Sequence, residues 1–391
     1  MPARGSRSQQ VAWRSLAAVV LLVVGASAAD APADDVAALP DPKTMQPGTW
    51  LAVPGSKMRA VCLPEGKFPV LRGSGGVGPH GIMDYSGGLF DTKRDRMIIW
   101  GGGHAGYAGN EIYAFDVGTM KWERLNEPSE PTNGRDTAPD GKPASRHTYN
   151  GLAYIAHADR MFGLGGSPCG SGNAVCQNTW IFDFDPKTWK NMEPAGTLPS
   201  GGYECNASYD PETKKVWWGN DAVTNRFRHG PGLFSYDYDA NRWEKHDDFD
   251  FGYYISTIDT KRGLLVLMSC RRERSSPKNV FVYDIRNKDF TRRPWDTTGG
   301  DEFLGSNKPG LAYDPVADRY VGWTGGAVFA LDPESKKWTK HTPPGGPDGS
   351  KVRQGIYGRW RYVPSVNAFI AAHSVDDDVY FFKLTAGMGE R

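Results

Sequence analysis

Beyond residue 28 the chain has no long apolar run, and it lacks the Leu/Ala/Glu/Lys-rich periodic stretches that build helices. The first absence excludes a membrane-spanning helix in the body of the chain, since a span needs about 20 consecutive apolar residues. The second argues against a helical domain. Cysteine is scarce: the five residues contain no C-x-x-C pair, which argues against a thiolate metal site. Net charge is also missing. At the start, Arg4, Arg7 and Arg14 precede the apolar run from Leu16 to Val24 and the small residues Ala26-Ser27-Ala28. This arrangement is that of a secretory signal cleaved after Ala28, and its apolar run is too short for an anchor. Removing it leaves 43 basic against 45 acidic side chains. The signal makes the expected location secreted or periplasmic, and a near-neutral chain has no electrostatic case for nucleic acid or anionic lipid; the mature protein is expected to be a monomer with no membrane partner. The basic stretch Arg271-Arg272-Glu273-Arg274 reads as a solvated loop.

Glycine (48) and tryptophan (13) are plentiful, a combination that suits many short strands joined by turns. An aspartate closing an alternating apolar run is followed six residues later by an aromatic: Asp116 and Trp122, Asp183 and Trp189, Asp237 and Trp243, Asp284 and Phe290, Asp332 and Trp338. Upstream of each pair lie a first strand, a tight turn such as DTKRDR or DPETKK, and a second strand ending in small residues, as in MIIWGGG and MFGLGG. Four short strands per unit, with successive aromatics 67, 54, 47 and 48 residues apart, describe propeller blades. A sixth unit from Tyr357 supplies three strands and then ends, so Trp50 in GTWLAVP is expected to bring the missing strand and close the ring. The expected fold is an all-β propeller of six four-stranded blades over residues 49–385, after a signal (1–28) and a flexible segment (29–48) and before a tail (386–391). A seventh blade within Ser56 to Gly78 is the alternative count. In an exported chain cysteines tend to pair, and the loop SPCGSGNAVC makes Cys169–Cys176 the expected bridge, leaving Cys62, Cys205 and Cys270 unassigned.

The small residues after the second strand, the aromatic before the third-strand aspartate and the tryptophan beyond it resemble the kelch-repeat family. That resemblance implies a propeller and says little about function, because kelch propellers include enzymes, sugar-binding proteins and scaffolds.

In such a fold, chemistry sits on the segments leading into the inner strands and leaving the second strands. The leading segments GPHGIMDYSG, SRHTYNG, GGYECNAS, FGYYIST, GSNKPG and GIYGRWR supply His80, Asp84, Tyr85, Arg146, His147, Tyr149, Asn150, Tyr203, Glu204, Tyr253, Tyr254, Asn307, Lys308, Tyr357 and Arg359. The segments leaving the second strands add His104, Tyr107, Asn110, Asn225, Arg226, Arg228 and His229. Rings that stack on sugar faces and fixed donors that hold hydroxyls or a carboxylate suit a poly- or oligosaccharide partner. Of the eight histidines, His157, His246 and His341 fall on outer positions and His373 near a second-strand end, whereas His80, His104, His147 and His229 fall on inner ones. No H-x-H or H-E-x-x-H spacing supports a metal site, so neither metal nor cofactor is expected. The absence of a Tyr-His dipeptide disfavours a copper-radical oxidase of the galactose oxidase kind, itself a kelch propeller.

The layout of His80 and His104 is similar to that of propeller-fold lyases acting on uronate polysaccharides, ulvan lyases among them. That likeness implies β-elimination, which needs a neutralised carboxylate, a base for the C5 proton and an acid for the leaving oxygen. His104, His147 and Tyr203 are the expected catalytic residues, with His80, Tyr107, Asn110, Arg146, Tyr149, Arg226, Tyr253 and Arg359 binding substrate. Hydrolysis by paired carboxylates is less supported, since Asp84 and Glu204 are the only acids clearly at inner positions. A non-catalytic glycan-binding propeller, or a sugar mutarotase or epimerase, is the alternative.

Overall fold

The repeat read from the sequence has a direct geometric cause. Asp116 pairs with Lys121 and Phe115 with Trp122 across the third and fourth strands of one blade, so a six-residue spacing places the tryptophan opposite the residue before the aspartate. The same register holds for Phe182 and Trp189, Tyr236 and Trp243, and Leu331 and Trp338. The aspartate itself caps the turn: Asp116, Asp237 and Asp332 accept backbone N–H groups of Thr119, Ala240 and Glu334 at 2.7, 2.9 and 2.8 Å. Each tryptophan then packs onto neighbouring structure, as Trp243 does on Phe162 of the preceding blade (centroids 5.9 Å) while its indole N–H donates to Thr179.

The computed structural model describes residues 39–74, 78–170, 174–221, 230–270 and 278–387. The signal segment and its cleavage point lie outside the described residues. Among the described residues, twenty-five strands form six antiparallel sheets; five contain four sequential strands in order, one of these gaining a short parallel strand, Ala195–Gly196, and the sixth joins three C-terminal strands to an N-terminal one. The inner strands are Gly88–Asp91, Leu152–Ile155, Asn206–Asp210, Tyr254–Asp259, Gly310–Asp314 and Trp360–Val363. Each touches the next and the last touches the first, which closes a six-bladed propeller. Closure uses the expected N-terminal strand: Thr49–Val53 pairs with Val379–Lys383, with Trp50 opposite Phe382. The described part of the Ser56 to Gly78 stretch holds a 3-10 turn at Met58–Val61 and no strand, so the alternative seventh blade is not formed there.

The expected Cys169–Cys176 bridge is a correction: all five cysteines are free. The backbone holds the two apart in function, Cys169 N–H donating to Ser145 O and Cys176 N–H to Gly166 O, and both thiols are buried among other groups. Among the described residues no helix is long and apolar enough to cross a membrane.

Two inter-blade clamps repeat three blades apart. The turn Asp91-Thr92-Lys93-Arg94 places Arg94 bidentate on Asp159 of the next blade (2.6 and 2.8 Å) with Lys93 at 2.6 Å. Asp259-Thr260-Lys261-Arg262 does the same to Asp318, at 2.6, 2.8 and 2.5 Å. Both acceptor carboxyls are held well below the usual range, Asp159 by its Arg94 and Lys93 bonds against opposing desolvation, Asp318 chiefly by Arg262. A carboxyl with a depressed folded pKa contributes stability that is fully present above its unfolded pKa near 4 and lost progressively as pH falls from there through its folded pKa. Asp318→Asn is therefore expected to destabilise by about 1–3 kcal/mol at pH 7, the low end reflecting partial exposure, and by somewhat less at pH 3, where the unfolded carboxyl is largely protonated but the folded one is still ionised. Asp159→Asn should add to it independently, given the separation. Thermal melts of both single variants and the double variant at the two pH values check this.

Candidate functional site

Glycines bring the first two blades together. In the segment after strand Arg96–Trp100, Gly102 and Gly103 have φ of 109° and 81°, and a Cβ on Gly102 would lie 2.2 Å from Ser145 Oγ of the second blade. A Cβ on Gly103 would lie 3.1 Å from Arg146 Cα. The turn thus packs directly against the residues that precede His147. His104, which follows Gly103, ends with its ring 5.5 Å from that of His147. The Tyr85 ring sits beside both, at 5.1 Å from His104 and 4.9 Å from His147.

A second regularity places the rest. Counting back six residues from the last residue of each inner strand gives Tyr85, Tyr149, Glu204, Tyr253, Lys308 and Tyr357, one per blade. Five of them adopt the left-handed backbone, with φ of 56° (Tyr85), 47° (Tyr149), 62° (Tyr253), 57° (Lys308) and 52° (Tyr357). Bulky residues in that region cost about 1–3 kcal/mol each, and such strain concentrates at functional positions. Here the side chains of Tyr85, Tyr149, Lys308 and Tyr357 converge on one another. Tyr149 meets Tyr85 at 6.1 Å and Tyr357 at 5.7 Å, and the Lys308 ammonium lies 4.4 Å from the Tyr85 ring centre. Lys308 Nζ also pairs with Glu204 Oε1 at 3.1 Å, and Glu204 Oε2 accepts the Tyr253 N–H at 3.3 Å. The cavity left between Tyr149, Glu204, Lys308 and Tyr357 is about 10 Å³, so these side chains pack closely and form the floor of a bowl beside Tyr85 and the two histidines.

The electrostatics are asymmetric. Asp84 is fully buried, and its Oδ2 lies 3.1 Å from Arg353 Nη2 and 3.8 Å from His104 Nε2. Neither carboxylate oxygen has a well-aligned hydrogen bond among the described residues, so these are charge contacts. Burial, with the charges of His104 and Lys308 acting the same way, pushes the His147 imidazole down to about 3. It is neutral in the working pH range. Its Nδ1 faces the Tyr149 hydroxyl at 3.4 Å, and its buried Nε2 has no partner among the described residues.

Of the residues expected from the sequence, His104, His147 and Tyr149 meet in this bowl. Tyr107, Asn110, Arg146 and Arg359 belong to the scaffold beneath it. Tyr107 donates to the buried Glu111 at 2.9 Å, and Asn110 bonds both Ser129 and Pro143 O. Arg146 is spent on Asp136 Oδ1 (2.8 Å) and backbone carbonyls. Arg359, pulled down to about 10 by burial, donates to Ser86, Gly355, Ala372 and His373 carbonyls. His80 stands at the rim with Asp376 (3.0 Å) and Arg59 (3.1 Å). Tyr203 has a shielded, unpartnered hydroxyl and touches none of the bowl rings among the described residues, and Tyr253 is half-exposed. Arg226 and the inner His229 lie outside the described residues. Asp84, Tyr85, Glu204, Lys308 and Tyr357 complete the site. Among the described residues no group of three or more His, Cys, Asp or Glu could hold a metal ion.

No family model matches the chain. Solved structures similar to it include one of a nidogen/laminin complex (12% identity, TM-score 0.43, spanning 66% of this chain and 80% of that one). Another is TolB from Acinetobacter baumannii (16% identity, TM-score 0.40, spanning 68% of this chain and 55% of that one).

Proposed function

We propose that the protein is a secreted, carbohydrate-active kelch-type propeller that cleaves uronate-containing glycans by β-elimination in the bowl around Tyr85. The observation that carries this reading is the placement of His104: half-open to the bowl, backed by the buried Asp84 carboxylate and set beside the Tyr85 ring, on which Lys308 also bears. In this reading Lys308 neutralises the substrate carboxylate, which acidifies the C5 proton. His104 takes that proton, and Asp84 offsets the charge of the imidazolium formed. The C5 electron pair forms the C4–C5 double bond as the C4–O bond breaks, and the Tyr85 hydroxyl protonates the departing oxygen. His147, neutral at working pH, positions Tyr85 and Tyr149. Tyr149 and Tyr357 are buried and brace the floor, and the half-buried Tyr85 ring is the one against which a sugar face packs.

Incubating the mature protein with a panel of uronate and neutral polysaccharides tests this. Ultraviolet absorbance of an unsaturated uronate should rise together with new reducing ends on at least one acidic polymer. Glycan binding with no new reducing ends would replace it with the non-catalytic binding propeller, and new reducing ends without absorbance would point to hydrolysis.

A further inference from the structure

Below the tyrosine–lysine ring the central channel widens into a chamber of about 540 Å³, open at the opposite face of the propeller. All six inner strands line it, and its wall is largely apolar, with Leu89, Leu152, Ile258 and Ala312 among the contributors. Its mouth is made by the residue that follows each inner strand: Thr92, Ala156, Pro211, Thr260, Pro315 and Pro364. None of these is charged, and the clamps just outside are internally neutralised.

One charged side chain faces this space, Arg361. It stands second in its strand, next to the floor of the bowl, where its Nε and Nη2 donate to Gly88 O (3.3 and 2.9 Å) and Nη2 to Asn150 Oδ1 (3.2 Å). Among the described residues no carboxylate pairs with it, and its hydrogen bonds leave from Nε and Nη2 alone, so Nη1, on a half-buried side chain, is free to meet a ligand. A cation held in a largely apolar chamber without a counter-ion is unfavourable, and an anion delivered to it recovers both the charge pairing and the unused donor. Burial alone already pulls this guanidinium down to about 10.

We propose that the chamber is a second ligand site that takes an amphiphilic monocarboxylate, its head group on Arg361 and its apolar body along the channel toward the uncharged mouth. A single free guanidinium edge suits a monovalent head rather than a multiply charged phosphate. The volume lies within the range of about 300–1,000 Å³ usual for small-molecule sites. The site is independent of the chemistry assigned to the bowl.

Octanoate is the probe and octanamide, of the same shape without the charge, is the control. Calorimetric titration at low ionic strength is expected to show octanoate binding the wild-type protein at least about tenfold more tightly than octanamide, a difference worth about 1.4 kcal/mol. Arg361→Gln should abolish that preference, and Ser208→Phe, which fills the chamber from another blade and leaves Arg361 in place, should abolish binding of both. Absence of octanoate binding to the wild-type protein at about ten millimolar, far above the affinity expected of a built pocket, overturns the proposal. So does equal affinity for the two probes, or a preference that survives in Arg361→Gln. Should Arg361→Gln fail to fold, the wild-type comparison and Ser208→Phe decide the matter by themselves.

Discussion

Removing residues 39–53 is expected to cost the protein its cooperative fold. That segment carries the strand that completes the sixth blade, with five residue pairs from Thr49 with Lys383 to Val53 with Val379. Without it, Val379–Lys383 becomes a free edge strand carrying Val379 and Phe381 on one face and Phe382 on the other, in a ring that no longer closes. Trp50 adds a specific contact set: its ring lies 5.9 Å from Trp323 and from Trp360 and 5.1 Å from Phe382. It bridges the fifth and sixth blades as well as closing one. Trp50→Ala, which leaves the backbone pairing in place, should cost about 3 kcal/mol, the lower end of the range for a buried Trp because the ring is only partly buried. The deletion should do more, yielding a species that elutes as soluble oligomers or aggregates and melts without a sharp transition. Thermal melts followed by circular dichroism, together with size-exclusion chromatography, check both. A deletion variant that stays monomeric and melts as the parent does would show that the ring is held by its other five junctions alone.

The closure was legible because it follows from counting. The last unit offers three strands, and an aromatic in an alternating run near residue 50 matches the missing fourth. The blade repeat was legible for a related reason: the aspartate cap and the cross-strand aromatic are fixed by backbone register, which depends on spacing alone. Site chemistry depends on which way a loop side chain turns, and composition does not report that. Arg146 and Arg359 sit in the expected loops and look like substrate-binding cations, yet both are buried beneath the bowl, where backbone carbonyls take up most of their donors. Asn110 is consumed in the same way by Ser129 and Pro143. The signal that selects the inward positions is again one of register, the sixth residue before the end of each inner strand. It was obscured in the third blade, where Tyr203 is the eye-catching residue and its neighbour Glu204 holds the inward slot beside Lys308. The Cys169–Cys176 expectation failed for a different reason. A short loop between two cysteines suggests a hairpin, whereas each cysteine here is bonded through its backbone to a separate segment.

On the reading that the bowl performs β-elimination, Lys308→Met and His104→Ala are expected to remove most activity by different routes. Lys308 stands between two rings and one carboxylate, 4.4 Å from the Tyr85 centroid, 6.0 Å from that of Tyr357 and 3.1 Å from Glu204 Oε1. Methionine keeps the bulk and deletes the charge that holds the developing enolate, so kcat/KM on the acidic polymer should fall about 10²–10³-fold, with much of the loss in kcat. His104→Ala deletes the base and should lower kcat by about 10²–10⁴-fold while substrate still binds. Glu204→Gln separates the two ideas about Lys308. If the lysine acts on substrate, releasing it from its counter-ion should leave KM unchanged or lower it; if the Lys308–Glu204 pair only braces the channel floor, the variant should reduce thermal stability and leave the remaining kinetics proportionate. Equal loss of binding in all three variants, with kcat per bound substrate untouched, would be the signature of a glycan-binding bowl.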